Sequence, residues 1–442
     1  MKKILKLSVA LFLVFSVSSC KKYLDIEPVG KVIPNTVEDF RALLNSGYAG
    51  FAEHKSLLAL RTDELLPNED EEGTAAYRDI YKWNDATPDA VSNAFPYIAF
   101  YKSIFYANSV IADVEAKAGK TPETAQLKGE AYLLRAYNNF ELLNLYAKSY
   151  DKNSASTDRG VPLALTVNLE QNFKPATVGE VYSQIFADLE EGQKLLNVIN
   201  FDAGKNYRFT KRAALAFSAR VYEFRGEWAN ALKASQDALA LGNQLEDLNA
   251  GAGVLLPNQY TSKENIMSME DTFNSDLTKI SFISAHLIGI YDQINDKRFA
   301  LYFSKSGSRF KGKKGASNEF KISFRNGELY LIQAEAALQT DNLPLALQSL
   351  MALKAKRLTP VYFATEQSRI SGLDKAGLLQ EILNEREREL ALEGHRWYDL
   401  KRYGQPEIKH TVGGVTYTLQ KNDPRYVIRF PQEAISANPN LQ

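Results

Sequence analysis

Three glutamates near the C-terminus have a spacing that could serve catalysis. Glu385, Glu389 and Glu393 recur every four residues, so a helix would place all three on one face. Paired carboxylates can hydrolyse a glycosidic bond, but the two acids must flank that bond from opposite sides. Acids on consecutive turns of one helix cannot do so. We therefore predict a structural charge network in which Arg388 and Arg396 pair with the glutamates.

The residues that follow these glutamates indicate how the helix ends. Gly394 can adopt the left-handed conformation that stops a helix and lets the chain turn. After that turn, Trp397 and Leu400 would face the core, and Asp399 lies between them. The whole motif is interpreted as structural.

No other arrangement of residues is typical of an enzyme. The four histidines are scattered and do not have the spacing of a zinc site: His54, His286, His395 and His410. There is no nucleophile-elbow motif. Residues 307–314 mimic a phosphate-binding loop, but Lys314 stands where the metal-binding serine or threonine belongs. We expect a solvated basic loop there and a protein that is not an enzyme.

An acidic stretch has part of the spacing of a calcium loop. Asn68, Asp70, Glu72 and Asp79 place oxygens at loop positions 1, 3, 5 and 12, with glycine at position 6. The first ligand is Asn, the last is Asp where Glu is usual, and no flanking helix pair is evident. A structural calcium ion is one interpretation, and a solvated acidic loop is the other. No other cofactor is expected.

Aromatic and planar polar side chains cluster where helical periodicity stops, between residues 61 and 96. The cluster consists of Tyr77, Arg78, Tyr81, Trp83 and Asn84. Aromatic ring faces stack on sugars, while Arg and Asn side chains hydrogen-bond to hydroxyl groups. This pattern favours a sugar-binding loop, although each aromatic residue could instead belong to a local core.

The N-terminus predicts export and lipidation. Three lysines within the first six residues precede an apolar run, residues 7–17, that is too short to cross a bilayer. Val17-Ser18-Ser19-Cys20 then forms a lipobox, in which the Cys20 thiol receives a lipid before cleavage. Residues 1–19 are predicted to be a signal peptide and residues 20–36 a lipidated tether. An ordinary secretory signal is the alternative. Because Cys20 is the only cysteine, no internal disulfide can form.

Composition excludes one class of partner. Lys and Arg together number 53, as do Asp and Glu, so the chain has no net charge to attract nucleic acid. Aromatic residues are abundant, at 11%. No segment after the N-terminal run is apolar enough to span a membrane.

The elements that must position these residues are mainly helical. Apolar residues recur with helical periodicity in nine segments: residues 37–44, 96–117, 122–148, 178–196, 211–225, 228–241, 327–338, 344–356 and 373–393. Strand-like stretches are short: residues 266–269, 414–419 and 425–430. We predict a mainly α fold with an irregular, loop-rich half and a few short strands.

Two pairs of helices share one register. Ala219 is followed twelve positions later by Ala231, and Ala334 is followed at the same interval by Ala346, with a turn between the two alanines in each case. A small residue on each helix lets the pair approach closely, which is the tetratricopeptide (TPR) pattern. Residues 132–136 with 178–196 resemble a third copy with a long inserted loop. An all-helical domain without true repeats is the alternative.

Several segments resemble the SusD/RagB family. They are Lys22-Tyr23-Leu24-Asp25-Ile26-Glu27-Pro28, Gly129-Glu130-Ala131-Tyr132-Leu133-Leu134-Arg135-Ala136-Tyr137, Gly160-Val161-Pro162-Leu163, residues 385–402, Arg429-Phe430-Pro431 and Asn438-Pro439-Asn440-Leu441. The resemblance implies an outer-membrane lipoprotein that faces the cell exterior. It further implies capture of a glycan for a SusC-type TonB-dependent transporter.

The resemblance also implies where the ligand binds. In the family the site is built from loops between helices, one within residues 61–96 and another before residues 296–298. The second loop offers Phe273, Asn274, Phe282 and Tyr291. The expected organisation is one SusD-like domain, residues 37–442, with a TPR-like core at about 97–241 and 327–402 and ligand-binding loops at about 61–96 and 257–326. The same architecture could bind a peptide or another nutrient, or serve as a surface scaffold that binds no nutrient.

Overall fold

Helices form most of the computed structural model, which describes residues 34–168 and 173–442. The predicted signal peptide, Cys20 and most of the predicted tether lie outside the described residues. In chain order the α-helices are α1 (Val37–Ala49), α2 (Lys55–Leu60), α3 (Arg78–Tyr81), α4 (Ile98–Ala118), α5 (Pro122–Tyr146), α6 (Val178–Leu195), α7 (Lys211–Arg225), α8 (Trp228–Ala240), α9 (Ser275–Ile280), α10 (Ala285–Gly289), α11 (Lys297–Tyr302), α12 (Asn326–Gln339), α13 (Leu343–Lys354), α14 (Pro360–Ser371), α15 (Lys375–Glu389), α16 (Arg396–Arg402) and α17 (Gln432–Ala437). The prediction of a mainly helical fold is confirmed.

The predicted helix pairs are present with their small residues at the contacts. Helix α7 packs against α8, and α12 packs against α13. Ala219, Ala231, Ala334 and Ala346 are all fully buried, as close packing of paired helices requires. The pair α5 and α6 also packs tightly, because a Cβ atom on Gly192 would lie 1.7 Å from a methyl carbon of Leu133.

Strands are short and pair two at a time. Among the described residues they are β1 (Leu65–Pro67), β2 (Arg159–Pro162), β3 (Pro175–Thr177), β4 (Asn265–Met267), β5 (Ser281–Ile283), β6 (Phe303–Ser306), β7 (Arg309–Gly312), β8 (Phe324–Arg325), β9 (Ile408–Val412) and β10 (Val415–Leu419). The antiparallel pairs are β1 with β5, β2 with β3, β4 with β8, β6 with β7, and β9 with β10. The strand-like prediction at 425–430 is wrong, because residues 424–426 form a 3-10 helix and no described strand follows it.

One continuous hydrophobic core joins the helical and loop-rich halves. Its buried side chains extend from Phe40 to Leu441 and include Tyr81, Trp83 and Phe273 of the predicted binding loops. A smaller cluster lies between α12, α13 and α15 and includes Leu331, Leu350 and Ile382. Within the two described ranges, no helix combines the length and apolar character needed to cross a membrane.

Candidate functional site

The two loops predicted to bind ligand are hydrogen-bonded to each other. Strand β1 pairs with β5, so that Leu66 lies opposite Phe282. The pairing continues at both ends: Asn68 N donates to the carbonyl of Ile280 (2.6 Å), and Ser284 N donates to the carbonyl of Glu64 (2.9 Å). Segments far apart in sequence thus form one surface. We call it the paired-loop surface and define it by Leu66, Tyr77, Asp276, Phe282, Arg309 and Lys311.

Phe282 is the central aromatic residue of this surface. Its ring is partly exposed, and its cross-strand neighbour Leu66 is 36% exposed. The guanidinium carbon of Arg309 lies 4.8 Å from the ring centre, and Lys311 Nζ lies 5.2 Å from it. Both cations lie over the ring, so a partly exposed apolar surface and hydrogen-bond donors, the two components of sugar recognition, stand together here.

Tyr77 supplies a second partly exposed ring on the same surface. Burial raises its pKa, and the neighbouring Asp276 carboxylate raises it further. The adjacent Arg78 is exposed. Asn84 is partly buried, and its side-chain amide donates to Asp79 Oδ1 (3.0 Å) and to the carbonyl of Thr87 (2.8 Å). Of the predicted binding residues, Tyr77, Arg78, Asn84, Asn274 and Phe282 retain access to solvent.

Four aromatic residues predicted to bind ligand lie in the core instead. Trp83 and Tyr81 are each 1% exposed, Phe273 is 2% exposed and Tyr291 is 5% exposed. Asn274 caps the N-terminus of α9, where its side-chain oxygen accepts from Leu277 N. The four buried rings cannot present a face to a ligand in this conformation, so their assignment to the site is corrected, whereas Asn274 is partly exposed but has its side-chain oxygen engaged in the cap.

His410 explains why two of those rings are buried. Its imidazole stacks between Tyr81 (3.9 Å between ring centres) and Trp83 (4.2 Å). Its two ring nitrogens lie within 2.8 Å of the carbonyl oxygens of Tyr81 and Thr62. Trp83 Nε1 also donates to the carbonyl of Arg61 (3.0 Å). The β9–β10 hairpin thus completes a local core inside the loop of residues 61–96.

The acidic stretch at residues 68–79 does not have the geometry of a calcium loop. Asp79 is buried, and its carboxylate accepts from Asp89 N, Asn84 Nδ2 and the hydroxyl of Ser92. Asp70 and Glu72 are exposed, and among the described residues they form no metal-sized cluster of ligand atoms with Asp79. Asn68 holds the loop through its backbone carbonyl, which accepts from Thr74 Oγ1 (2.6 Å). This geometry favours the solvated acidic loop.

A cluster that sequence reasoning missed lies next to β5. Ligand atoms of Asp63, His286 and Glu387 come within 4.8 Å of one another. Arg396 already pairs with Asp63 (2.7 Å) and Glu387 (3.0 Å), and His286 Nε2 lies 2.6 Å from Glu387. The predicted pairing of Arg396 with Glu389 or Glu393 is therefore wrong. We interpret this cluster as an ion-pair network that ties the paired loops to the C-terminal motif.

The three spaced glutamates form a buried network with cations from distant segments. Glu389 accepts from Arg325 Nη1 (2.6 Å), Arg357 Nη2 (2.8 Å) and Arg298 Nη1 (3.0 Å). Desolvation would raise the pKa of Glu389, but the guanidinium groups of Arg357 and Arg325 hold it well below its usual range. A carboxylate occupied in this way cannot act as a general acid.

Other residues of the motif have similar partners. Glu385 pairs with Arg298 and with Arg388, as predicted for Arg388. Glu393 pairs with Arg325 and with Lys314. Lys314 is buried, so the prediction of a solvated basic loop is wrong at this residue.

The end of the motif differs in detail from the prediction. Helix α15 stops at Glu389, before Glu393, and Leu392 as well as Gly394 has a positive φ. Trp397 and Leu400 are buried as predicted, and Asp399 pairs with Arg386 and Arg402. A buried glutamate outside the motif, Glu64, accepts from Leu392 N (2.9 Å) and links this turn to the paired loops. Burial raises the pKa of Glu64 to about 7.

Three clefts lie around residues 424–433, apart from the paired-loop surface. Their volumes are about 1140, 670 and 480 Å³. Asn84 lines the two smaller clefts, and Tyr417 lines the smallest. Three rings line the largest cleft and all are buried: Tyr146 and Phe430, which stack on each other at 4.9 Å, and Tyr426, which stacks on Trp397. The largest cleft therefore offers no free ring face, and we place the candidate site on the paired-loop surface, where the two predicted ligand loops meet.

Comparisons with known proteins agree with this architecture. A family model described as starch-binding and associating with the outer membrane matches residues 22–222, and the SusD family model matches residues 294–442. SusD-like protein P38 of Formosa agariphila is 24% identical, over 94% of this chain and 95% of its own length. A SusD superfamily structure from Bacteroides thetaiotaomicron has a TM-score of 0.77 at 20% identity, and covers 92% of this chain and 98% of its own. A SusD-like carbohydrate binding protein from Bacteroides vulgatus has a TM-score of 0.72 at 19% identity, with 92% and 97% covered. The chain therefore belongs to the SusD/RagB family of carbohydrate-binding, outer-membrane-associated proteins.

Proposed function

We propose that this chain captures an oligosaccharide on its paired-loop surface and delivers it to a SusC-type TonB-dependent transporter. The observation that carries the proposal is the pairing of β1 with β5. This pairing joins the two predicted ligand loops and leaves the ring of Phe282 partly exposed between them. The family model and the carbohydrate-binding relative from Bacteroides vulgatus support a glycan as the ligand.

Binding without catalysis is the chemistry that these residues favour. The sugar ring would stack on Phe282, while Arg309 and Lys311 would donate to its oxygens. The glutamates with the most suggestive spacing are buried and occupied by guanidinium groups. Glycoside hydrolysis needs two carboxyl groups facing the scissile bond, and Glu389 cannot be one of them.

Phe282→Ala should weaken glycan binding by roughly 1–3 kcal/mol, because the mutation removes the stacking face at the centre of the surface. A glycan array would identify the best ligand of the wild-type protein, and titration calorimetry would then measure both affinities. Unfolding by urea should change little, since the ring is only partly buried.

Tyr417→Ala is the matched control for this experiment. Tyr417 is also a partly buried aromatic residue, but it lines a cleft beside residues 424–429 and not the paired-loop surface. Its removal should leave affinity unchanged. If Tyr417→Ala weakened glycan binding and Phe282→Ala did not, the site would lie in that cleft and our assignment would be contradicted.

Attachment to the membrane and the transporter partnership form the second part of the proposal. Cys20 follows the small residues of a lipobox, and thus the mature chain should carry lipid there. Wild-type protein should incorporate labelled fatty acid and co-purify with a TonB-dependent porin from detergent-solubilised outer membranes. Cys20→Ala should abolish the label. Labelling that persists in this variant would refute the anchor, and failure of any such porin to co-purify would refute the partnership.

A further inference from the structure

The β6–β7 hairpin carries cations that have no acidic partner. Lys305, Arg309, Lys311 and Lys313 lie within nine residues, and none forms an ion pair with a carboxylate anywhere in the described chain. The next residue, Lys314, behaves differently, because it is buried and pairs with Glu393 at 2.5 Å. Positive charge is thus concentrated on one hairpin of a chain with no net charge.

Strand geometry sorts these cations onto two faces. Successive side chains of a strand point to opposite sides, so Arg309 and Lys311 share one face of β7 while Phe310 points to the other. Lys305 lies opposite Phe310 in the β6–β7 register and shares that other face. The ring of Phe310 packs against Phe299 (5.3 Å between centres), which holds the hairpin to the body of the protein.

The face with Arg309 and Lys311 lies against Phe282. Both cations are within 5.2 Å of the ring centre. Lys311 is held in place because its Nζ donates to the carbonyls of Lys279 (2.8 Å) and Thr278 (3.1 Å) at the end of α9. Arg309 is exposed and can turn its guanidinium towards a ligand.

Nearby carboxylates do not neutralise this face. Asp276 interacts with the hydroxyl of Tyr77. Glu71 lies 3.8 Å from the Lys279 ammonium. Glu69 accepts from Gly413 N at the tip of the β9–β10 hairpin. These three acids are therefore directed to other partners, and no carboxylate of the described residues forms an ion pair with Arg309 or Lys311.

We infer that the ligand is an acidic oligosaccharide, bearing carboxylate or sulfate groups. This inference rests on the proposed glycan-binding function and specifies its ligand class. The sugar ring stacks on Phe282, and the Arg309 guanidinium donates hydrogen bonds to two oxygens of the acidic group. The Lys311 ammonium attracts the same group electrostatically. A neutral glycan would gain no such charge-assisted bonds from these side chains.

Two pairs of matched polysaccharides test the inference on the full-length protein in detergent. Polygalacturonate bears carboxylates where its fully methyl-esterified form bears neutral methyl esters, and a sulfated galactan differs from its desulfated form in the sulfate groups. Affinity electrophoresis should show that at least one charged member binds about tenfold or more tightly than its neutral counterpart. The pair that responds identifies the anion. Raising the salt concentration from about 50 to 500 mM should reduce this difference.

Variants of the hairpin provide the internal control. The double variant R309Q/K311Q should lose the preference for the charged member while still binding through Phe282. Lys305→Gln removes the same kind of charge from the opposite face of the hairpin and should keep the preference.

Four results would overturn the inference or the proposed function on which it rests. If neutral members bind as tightly as charged ones, or if R309Q/K311Q keeps the full preference, the ligand class is wrong while carbohydrate binding stands. If none of the four polysaccharides binds, and the glycan array is also empty, the proposed function itself fails. If Lys305→Gln and R309Q/K311Q lost the preference for the charged polysaccharide equally, the hairpin would act only through its overall charge. That result would refute the assignment of binding to the face with Arg309 and Lys311.

Discussion

Glu389→Ala should destabilise the protein by about 3–5 kcal/mol, or prevent it from folding, because the change removes a carboxylate that three buried guanidinium groups share and leaves an excess of buried positive charge. Glu389 is fully buried and accepts hydrogen bonds from three guanidinium groups, on Arg298, Arg325 and Arg357. All three arginines are fully or almost fully buried as well, so water cannot replace the lost carboxylate. Urea-induced unfolding measures the effect.

A matched control separates burial from the loss of a charge. Glu190 pairs with Lys194 on the surface of α6, where both side chains are more than half exposed. Glu190→Ala should leave the free energy of unfolding nearly unchanged, because water and salt screen an exposed ion pair. Glycan affinity should be unchanged in whatever fraction of Glu389→Ala is folded. Loss of binding at full stability would instead make Glu389 part of a functional site and contradict its structural role.

The anionic half of this network could be predicted from the sequence, and the cationic half could not. A spacing of four residues is a local pattern that places Glu385 and Glu389 on one face of α15, while Glu393 follows the end of the helix and shares Arg325 with Glu389. The partners Arg298, Arg325 and Arg357 come from three other segments, and nothing local links them to α15. The predicted pairing of Arg396 with the spaced glutamates was wrong for the same reason. Its partner Asp63 is distant in the sequence but adjacent in the structure.

The helix pairs could be predicted because their signals are local in the sequence. Ala219 and Ala231 can be matched with Ala334 and Ala346 because each pair lies within one helix hairpin. Strand pairs such as β1 with β5 join residues more than two hundred positions apart, and a three-residue strand has too few side chains for a periodic signal. The pairing of the two ligand loops therefore had to come from the structure.

Individual site residues were the least predictable feature. An aromatic residue in a loop without periodicity has two possible environments, a ligand and a local core, and its own sequence neighbourhood does not distinguish them. Phe282 and Tyr77 remain at the surface, whereas Tyr81 and Trp83 are covered by His410 from the β9–β10 hairpin. The pattern of alternating residues in 408–412 could have indicated a strand, but not what that strand would cover.

Trp83→Ala should cost about 3–5 kcal/mol of stability, the range expected when a large buried aromatic side chain is removed. The ring is 1% exposed, stacks on His410 and donates Nε1–H to the carbonyl of Arg61. Trp83 also has a φ of 56°, a conformation that is strained for a residue with a Cβ atom. Alanine keeps that Cβ atom, so the mutation removes the packing without relieving the strain.

Measuring stability and affinity together decides between the two environments of Trp83. A core residue predicts a large fall in the free energy of unfolding and normal glycan affinity in the folded fraction. Trp83→Phe should lie between wild type and Trp83→Ala, since it keeps much of the apolar volume and loses the hydrogen bond to Arg61. Phe282→Ala should show the reverse pattern, with weaker binding and little change in stability. If Trp83→Ala lost affinity without losing stability, Trp83 would have to reach the ligand through a conformation in which the β9–β10 hairpin has moved away from it.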